Sequence, residues 1–323
     1  MPDTPLPEDA APVAGVATGL RRGYLLGCIA AVIWGGYLVT SRRGIAAGLS
    51  PADMAFLRYV IAGVVMLPFL LRHAPLRLAG VGWKKGLILA CLAGPPFVLV
   101  GASGFRFAPL AHAAVIQLGS VILVSTVLAA TTLRERPGTA GLVSLSLVLL
   151  GLFVTAGSGL AGGRPDAWRG DLLFALAGSL WAIFTVLQRR WGLSPVSVTA
   201  AVCVVSALLY GPIYAVVVGF ERLSRASPAV LLEQALVQGV LSGAIAMLAF
   251  AAAVREVGAA RAALFPALAP GVAMVLGSFL TGDRVSALHV IGLVLLTGGL
   301  LVSAWDAACR NATVPAASNE KLS

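Results

Sequence analysis

The sequence has few charged residues for its length. Only 11% of its 323 residues are Asp, Glu, Lys or Arg, whereas 59% are hydrophobic. Soluble globular domains carry about 25% charged residues, so this composition excludes an ordinary water-soluble fold. The mean hydropathy of +0.95 indicates instead that lipid surrounds most of the chain.

Acidic residues are the scarcest charged group. All thirteen lie in tails, in loops or at the ends of predicted helices. A carboxylate embedded in the membrane is a common carrier of a coupled proton or sodium ion, and the sequence offers none. His112 and His289 remain as titratable side chains in apolar segments. We therefore expect facilitated diffusion or exchange of a substrate rather than ion coupling.

Cysteine pairs and nucleotide-binding loops are also missing. The four cysteines, Cys28, Cys91, Cys203 and Cys309, stand singly in or beside apolar runs. Their spacing fits neither a disulfide framework nor a metal site, so we expect no metal and no cofactor. The sequence contains no Gly-x-x-x-x-Gly-Lys-Ser/Thr loop, which excludes ATP hydrolysis of the P-loop type.

Basic residues give the chain a formal net charge of +10. They mark the ends of apolar segments and do not cluster with aromatic residues, so we expect no nucleic-acid partner. Fourteen of the 23 bases fall on the side of the N-terminus and eight on the other side, which predicts cytoplasmic N- and C-termini. Residues 1–21 are predicted to be a disordered tail, and residues 306–323 a second cytoplasmic tail.

The apolar residues form long continuous runs. Each run can cross about 30 Å of hydrocarbon as a helix. We therefore predict an all-α membrane protein with ten transmembrane helices, at residues 23–41, 54–71, 86–104, 110–132, 139–157, 171–188, 197–219, 234–253, 259–281 and 286–305.

One stretch of the sequence occurs twice. Residues 34–43 and 181–190 both begin with Trp and end with an Arg pair, and both lead into the tetrapeptide Gly-Leu-Ser-Pro, at 48–51 and 192–195. The pattern indicates a duplication.

The duplication predicts two five-helix repeats, at residues 22–158 and 170–305. Because five is odd, the second repeat would enter the membrane in the opposite direction. Inverted repeats around a site near the middle of the membrane are typical of secondary transporters that work by alternating access.

Several short motifs resemble the EamA family of the drug/metabolite transporter superfamily. They are Trp34-Gly35, Gly48-Leu-Ser-Pro51 followed by Phe56-Leu57-Arg58, Ala108-Pro109-Leu110-Ala111, and Glu135-Arg136-Pro137. The resemblance covers residues 22–305 and is nearest to bacterial exporters of aromatic amino acids. It implies a central cavity lined mainly by helices 1, 3, 4, 6, 8 and 9, and export of small metabolites, prominently amino acids, across the bacterial inner membrane. The expected partners are a small-molecule substrate and the lipid bilayer, and the expected state is a monomer or a weak homodimer.

Polar and aromatic side chains in the predicted cavity helices are the candidates for substrate binding. In helix 1 they share one stripe near the middle of the membrane, and helix 6 repeats that stripe. Packing is the alternative role for the tryptophans, and hydrogen bonding between helices for the amides and hydroxyls. The candidates are Trp34, Tyr37, Ser41, Phe97, His112, Gln117, Ser120, Trp181, Phe184, Thr185, Gln188, Gln238, Ser242 and Phe265.

Arg58 lies one to two turns into the second predicted helix and allows two interpretations. A buried guanidinium could hold a substrate carboxylate through two hydrogen bonds. It could instead extend to the outer interface or pair with Asp53. Because helix 2 is not a main cavity helix of the EamA family, we predict the structural role. The second repeat has Val202 at the equivalent position.

The side chains of the predicted cavity favour a neutral or zwitterionic substrate with apolar or aromatic parts. Nucleobases and cationic drugs are alternative substrates. An intramembrane serine hydrolase is the alternative from another class, since Gly101-Ala-Ser103-Gly104 fits a Gly-x-Ser-Gly motif and His289 could act as its base. Ten helices and the duplication disagree with such a protease, so we predict that the protein is not an enzyme.

Overall fold

The computed structural model describes residues 11–132, 138–161, 165–258, 262, 264–282 and 285–313. All regular secondary structure of these residues is helical. We label the long helices α1 to α10 in chain order: Ala11–Ala46, Pro51–Arg72, Trp83–Gly104, 110–132, Thr139–Ala161, Ala167–Arg190, Pro195–Val217, Pro228–Val257, Phe265–Leu280 and Ala287–Thr313. A short helix, Glu221–Arg225, connects α7 to α8.

Eight of these helices, α1 to α8, are long and apolar enough to cross a membrane. In the described part of the chain the last two apolar helices are shorter, at Phe265–Leu280 and Ala287–Val302. The prediction of an all-helical membrane protein is therefore confirmed. Membrane crossing by α9 and α10 stays a prediction.

The first and last helices extend into the predicted tails. α1 begins at Ala11, inside the segment 1–21 that we expected to be disordered. Small and apolar residues follow Pro12, and proline is tolerated there because the N–H groups of a first helical turn have no partner within the helix. α10 continues to Thr313, inside the predicted tail 306–323. The Glu135-Arg136-Pro137 motif lies outside the described residues.

The repeated Gly-Leu-Ser-Pro tetrapeptide forms the same turn in both halves. Gly48 and Gly192 have φ angles of 91° and 61°, a left-handed conformation that glycine adopts without strain. Ser50 and Ser194 follow in extended conformation, and the prolines take the first positions of α2 and α7. Serine is a preferred N-cap and proline a preferred first helical residue, so the tetrapeptide encodes a helix end followed by a helix start.

Helix contacts follow a pattern that is shared by the two halves. α1 packs on α8 and α9, and α6 packs on α3 and α4. These are equivalent contacts when α1–α5 are exchanged for α6–α10. α2 packs on α7, and α5 packs on α10, so these two pairs join equivalent helices. The central helices of both halves are thereby brought together.

Glycine allows α5 and α10 to approach each other closely. A Cβ atom on Gly151 would lie 2.8 Å from the carbonyl oxygen of Gly292, and a Cβ atom on Gly292 would overlap the Thr155 hydroxyl. Small residues are the usual means of close helix packing in lipid. The close packing of α5 on α10 therefore depends on glycine at these two positions.

We expect Gly292→Val to separate α10 from α5 and to lower the free energy of unfolding by about 1–3 kcal/mol, the usual effect of overpacking. The midpoint of thermal unfolding of the purified protein measures the change. Gly298→Val, in the same helix, is the matched control because a Cβ atom there has no atom within 4 Å. An equal loss in both variants would contradict the packing explanation.

Candidate functional site

A cavity of about 1040 Å³ lies among the central helices. Its described lining comes from α1 to α4 and α6 to α9, and none of it from α5 or α10. The EamA resemblance implied a cavity lined mainly by helices 1, 3, 4, 6, 8 and 9, and the described lining adds residues of α2 and α7. The volume is at the upper end of the range of about 300–1000 Å³ for small-molecule sites. It is sufficient for a metabolite and several waters.

Irregular helices form much of the cavity wall. α3 is interrupted at Gly94 and restarts at the following proline. π-helical turns occur at Ala113–Gln117 in α4 and at Ala235–Ile245 in α8. Pro266 and Pro270 of α9 also line the cavity. Backbone irregularity at membrane depth is tolerated where it faces a cavity, and π turns are frequent at functional sites.

Aromatic rings cover two parts of the wall. The Trp181 ring lies between Phe97 and Phe184, with centroid distances of 5.2 Å and 5.1 Å. Across the cavity, the centroid of the Trp34 ring is 5.3 Å from that of Phe250. All five residues line the cavity. They offer broad apolar surfaces on which a flat or hydrophobic group can pack.

Arg58 also lies in this wall, and neither of the contacts that we predicted for it, extension to the outer interface or pairing with Asp53, is formed. Its side chain is buried rather than extended to an interface, with 7% of its surface exposed. Its Nη1 donates to Ser242 Oγ at 3.0 Å, and its Cζ lies 4.7 Å from the centroid of the Tyr37 ring. Nε has no hydrogen-bond partner in the described part of the chain.

Asp53, the partner that we proposed for Arg58, is satisfied by other groups. Its Oδ2 accepts from the Ser50 backbone N–H at 2.7 Å, and its Oδ1 accepts from the Tyr214 hydroxyl at 2.6 Å. Arg222 Nη1 lies 3.6 Å from Oδ2. The carboxylate thus caps α2 and ties it to α7 and to the short helix that follows, away from the guanidinium of Arg58.

The charges of the cavity are of one sign. Its described lining includes Arg58, Arg189 and Arg255 and contains no Asp or Glu. Arg189 and Arg255 are exposed at the ends of their helices, so Arg58 is the buried cation of the lining. The cavity is therefore electrostatically suited to a neutral or negatively charged group.

Nine of the fourteen candidate residues line the cavity, although contact with a substrate stays a prediction for each. They are Trp34, Tyr37, Phe97, Gln117, Trp181, Phe184, Thr185, Gln188 and Ser242. The five that lie elsewhere are Ser41, His112, Ser120, Gln238 and Phe265.

Ser41 and Gln238 join α1 to α8 instead of lining the cavity. Gln238 Nε2 donates to Ser41 Oγ at 2.9 Å, and one helical turn away Gln234 Nε2 donates to the Thr40 carbonyl at 2.9 Å. The side chains of Ser41, Gln234 and Gln238 are buried. Here the alternative of hydrogen bonding between helices is the correct one.

Contacts between helices also hold the side chains of His112, Ser120 and Phe265. His112 Nδ1 lies 2.7 Å from Asp171 Oδ1, which connects α4 to α6. Ser120 is buried where α4 meets α6 at Gly178. The ring of Phe265 fills the space above Gly27 on α1, where any Cβ atom would collide with it. Spacing in the sequence does not tell which neighbouring helix these side chains meet.

Other residues of the cavity wall were not among the fourteen candidates. Phe250 and Met247 lie on α8, one turn or more beyond Ser242, and both line the cavity. Tyr59 and Cys203 line it as well, from α2 and α7. The last two come from helices that we did not expect in the wall.

The cavity is open at one end of the bundle and closed at the other. At the open end, the exposed Arg189 and Arg255 border it at the C-terminal ends of α6 and α8. At the closed end, where α1 ends and α8 begins, the two glutamine contacts are followed by an ion pair of 3.3 Å between Arg43 and Glu233. Arg42 Nη1 also donates to the Phe105 carbonyl there at 3.3 Å.

The sequence model of the EamA-like transporter family matches residues 21–157 and again residues 168–305. The chain belongs to this family. Eight apolar helices and this membership make the EamA protein a multi-pass membrane transporter. The prediction of an EamA transporter is thereby confirmed at the level of the family.

Two further proteins resemble this EamA transporter. The "Uncharacterized transporter YyaM" of Bacillus subtilis (strain 168) is 27% identical over 273 residues, which cover 79% of this chain and 84% of that one. One crystal structure superposes with a TM-score of 0.60 at 21% identity, over 87% of this chain and 95% of the other. The second likeness concerns the fold alone.

Ser103 and His289, the two residues of the alternative serine hydrolase, each contact other groups. The Ser103 hydroxyl donates to the Leu99 carbonyl at 2.7 Å within its own helix. His289 Nδ1 accepts from the Ser286 backbone N–H at 3.1 Å, and its ring packs on His112. Among the described residues no contact joins Ser103 to His289, and the geometry gives a serine hydrolase no support.

The open and closed ends predict unequal access to two engineered cysteines. In a background without the native cysteines, we expect Thr185→Cys in the cavity wall to react with a charged, membrane-impermeant thiosulfonate. Ser41→Cys should react at least about tenfold more slowly, because it lies in the buried contact between α1 and α8. Labelling of the purified protein, followed by mass spectrometry, measures both rates. Equal rates would contradict a closed end at Ser41.

Proposed function

We propose that this EamA transporter exports small metabolites, foremost amino acids with aromatic or other apolar side chains, across the bacterial inner membrane. The observation that carries the proposal is a metabolite-sized cavity with aromatic walls and one open end. Apolar surfaces with a few convergent polar groups are typical of small-molecule sites. Export is the direction implied by the EamA resemblance.

Alternating access is the proposed mechanism, and the repeated helix contacts support it. The closed end is sealed between the end of α1 and the start of α8. The equivalent helices are α6 and α3, whose corresponding ends lie at the open end. Lys85 of α3 there lies 5.4 Å from the ring of Trp191, just after α6. We propose that closer contact of α6 with α3 closes this end when the seal between α1 and α8 opens.

The charge of the cavity narrows the proposed substrates. A cationic drug would find three arginines and no acid in the described lining. Neutral and zwitterionic solutes avoid this repulsion, and their apolar parts can pack on Trp34 or Trp181. We therefore favour amino acids over cationic drugs.

Transport by facilitated diffusion or exchange is the proposed energetic mode. Asp171 and Asp53 are acids with little exposed side-chain surface, and each already has partners outside the cavity lining. A proton carrier must meet the solvent on both sides in turn. The described cavity wall offers no carboxylate for this purpose.

We expect Trp181→Ala to reduce counterflow of labelled phenylalanine into proteoliposomes by about tenfold or more, because the ring supplies a large apolar contact surface. Trp168→Ala is the matched control, since Trp168 lies on the same helix with 54% of its surface exposed. Its transport should stay near that of the parent protein. An equal loss in both variants, or no counterflow of any amino acid, would contradict the proposal.

Counterflow should also be the same with and without an imposed pH gradient. The experiment compares proteoliposomes of equal internal and external pH with proteoliposomes that hold a gradient of about two pH units. A gradient-driven accumulation that disappears in His112→Ala would overturn the facilitated mode and assign proton coupling to the contact between His112 and Asp171.

A further inference from the structure

We propose that Arg58 is the binding group for a substrate carboxylate, and that the cavity accepts apolar and aromatic monocarboxylates whether or not they carry an amino group. The inference rests on the proposed function, in that a small molecule occupies the cavity. It goes further by naming the carboxylate as the recognised group. Binding does not require the amino group of the substrate.

The first argument is the unbalanced charge of Arg58. A guanidinium is permanently charged, and a buried cation in a membrane protein requires compensation by an anion or by polar groups. The titratable side chains that interact with it electrostatically are Tyr37, Tyr59 and Cys203. None of them is an acid. Ser242 Oγ accepts a hydrogen bond from Nη1, the Tyr59 hydroxyl is a further polar neighbour, and Nε has no partner in the described part of the chain.

The second argument is that the guanidinium is held in place. Ser242 fixes Nη1, and the Tyr37 ring lies beneath Cζ at 4.7 Å. The Tyr59 ring is 5.7 Å away, and its hydroxyl donates to the Ala93 carbonyl at 2.6 Å. The hydroxyl proton of Tyr59 is therefore already donated, so Tyr59 does not compete with the guanidinium as a donor to a ligand. A guanidinium that is stacked and fixed in this way presents its remaining donors to a planar carboxylate with little loss of side-chain freedom.

The third argument is that the described lining of the cavity has one such group. The second repeat places Val202 where the first has Arg58, and Val202 also lines the cavity. One buried cation favours a single carboxylate over a dianion. For the amino group of a substrate, the described lining offers neutral acceptors such as Gln117 and Thr185 but no carboxylate. An ammonium is thus tolerated and is not required.

Three ligands of the same shape test this selectivity on the unchanged protein. They are L-phenylalanine, 3-phenylpropanoate, which lacks the ammonium, and L-phenylalaninamide, which lacks the carboxylate. Isothermal titration calorimetry of the purified transporter measures the three affinities. We expect the first two to bind within about threefold of each other and the amide to bind about tenfold to a hundredfold more weakly, as is typical for loss of a charged hydrogen bond.

Variants then assign the selectivity to Arg58. Arg58→Gln should weaken both carboxylates by about tenfold or more, and it should not weaken the amide, whose ammonium gains no attraction from the guanidinium. Arg190→Gln is the matched control, since it removes an exposed arginine at the end of α6 that lies outside the described cavity lining, and it should alter each affinity by less than about threefold. Ser242→Ala should retain carboxylate binding. If Arg58→Gln does not fold, Arg58→Lys replaces it and should show an intermediate loss, because lysine keeps the charge without the planar fork.

The outcomes separate this inference from the proposed function. Equal affinity for the amide and the acids, or no binding of any of the three, overturns the role of Arg58. Counterflow of L-phenylalanine that is unaffected in Arg58→Gln supports transport and contradicts the carboxylate site. Carboxylate binding that depends on Arg58 without counterflow supports the site and contradicts the proposed transport.

Discussion

The lack of water inside a bilayer is the constraint on which this structure depends. Each backbone N–H and carbonyl group in hydrocarbon must find a partner within the protein, so the spanning segments are helices. Several places where helical hydrogen bonding is interrupted lie at or beside the large cavity: Gly94 in α3, the π turns of α4 and α8, and Pro270 of α9. Pro68 inside α2 and Pro212 inside α7 lie instead at exposed positions outside the described lining. The irregular backbone beside the cavity contributes to its shape.

The same constraint explains the chemistry of the closed end. Its buried part is made of neutral hydrogen bonds from Gln234 and Gln238 to α1, and the ion pair of Arg43 lies at the more exposed edge. Hydrogen bonds between membrane helices contribute only about 0.6–2 kcal/mol each. A seal of this strength excludes solvent and can still be opened by a ligand whose affinities for the two states differ by a few kcal/mol.

Sequence patterns predicted the parts of the structure that are local. The duplicated Gly-Leu-Ser-Pro turn and the stripe of Trp34 and Tyr37 follow from spacing alone. Spacing does not tell how far along a helix the cavity ends, so Ser41, which shares that stripe, was placed in the wall although it belongs to the seal. Nor does it identify distant partners. The Tyr214 hydroxyl that occupies Asp53 is 161 residues away in the sequence. Without that contact, Asp53 looked like the natural partner of Arg58.

Arg58, the buried cation of the described cavity lining, also bears on the direction of transport. A duplicated fold has two equivalent halves, but Arg58 and Val202 make its cavity asymmetric, so the two open states need not bind a carboxylate equally well. This difference cannot by itself drive export. In a carrier without a coupled ion, any difference in substrate affinity between the inward-open and outward-open conformations is balanced by the difference in their populations. Net flux therefore ends when the electrochemical potential of the substrate is equal on the two sides. The proposed export therefore follows from a higher cytoplasmic concentration, while the asymmetry sets the concentrations at which each side saturates.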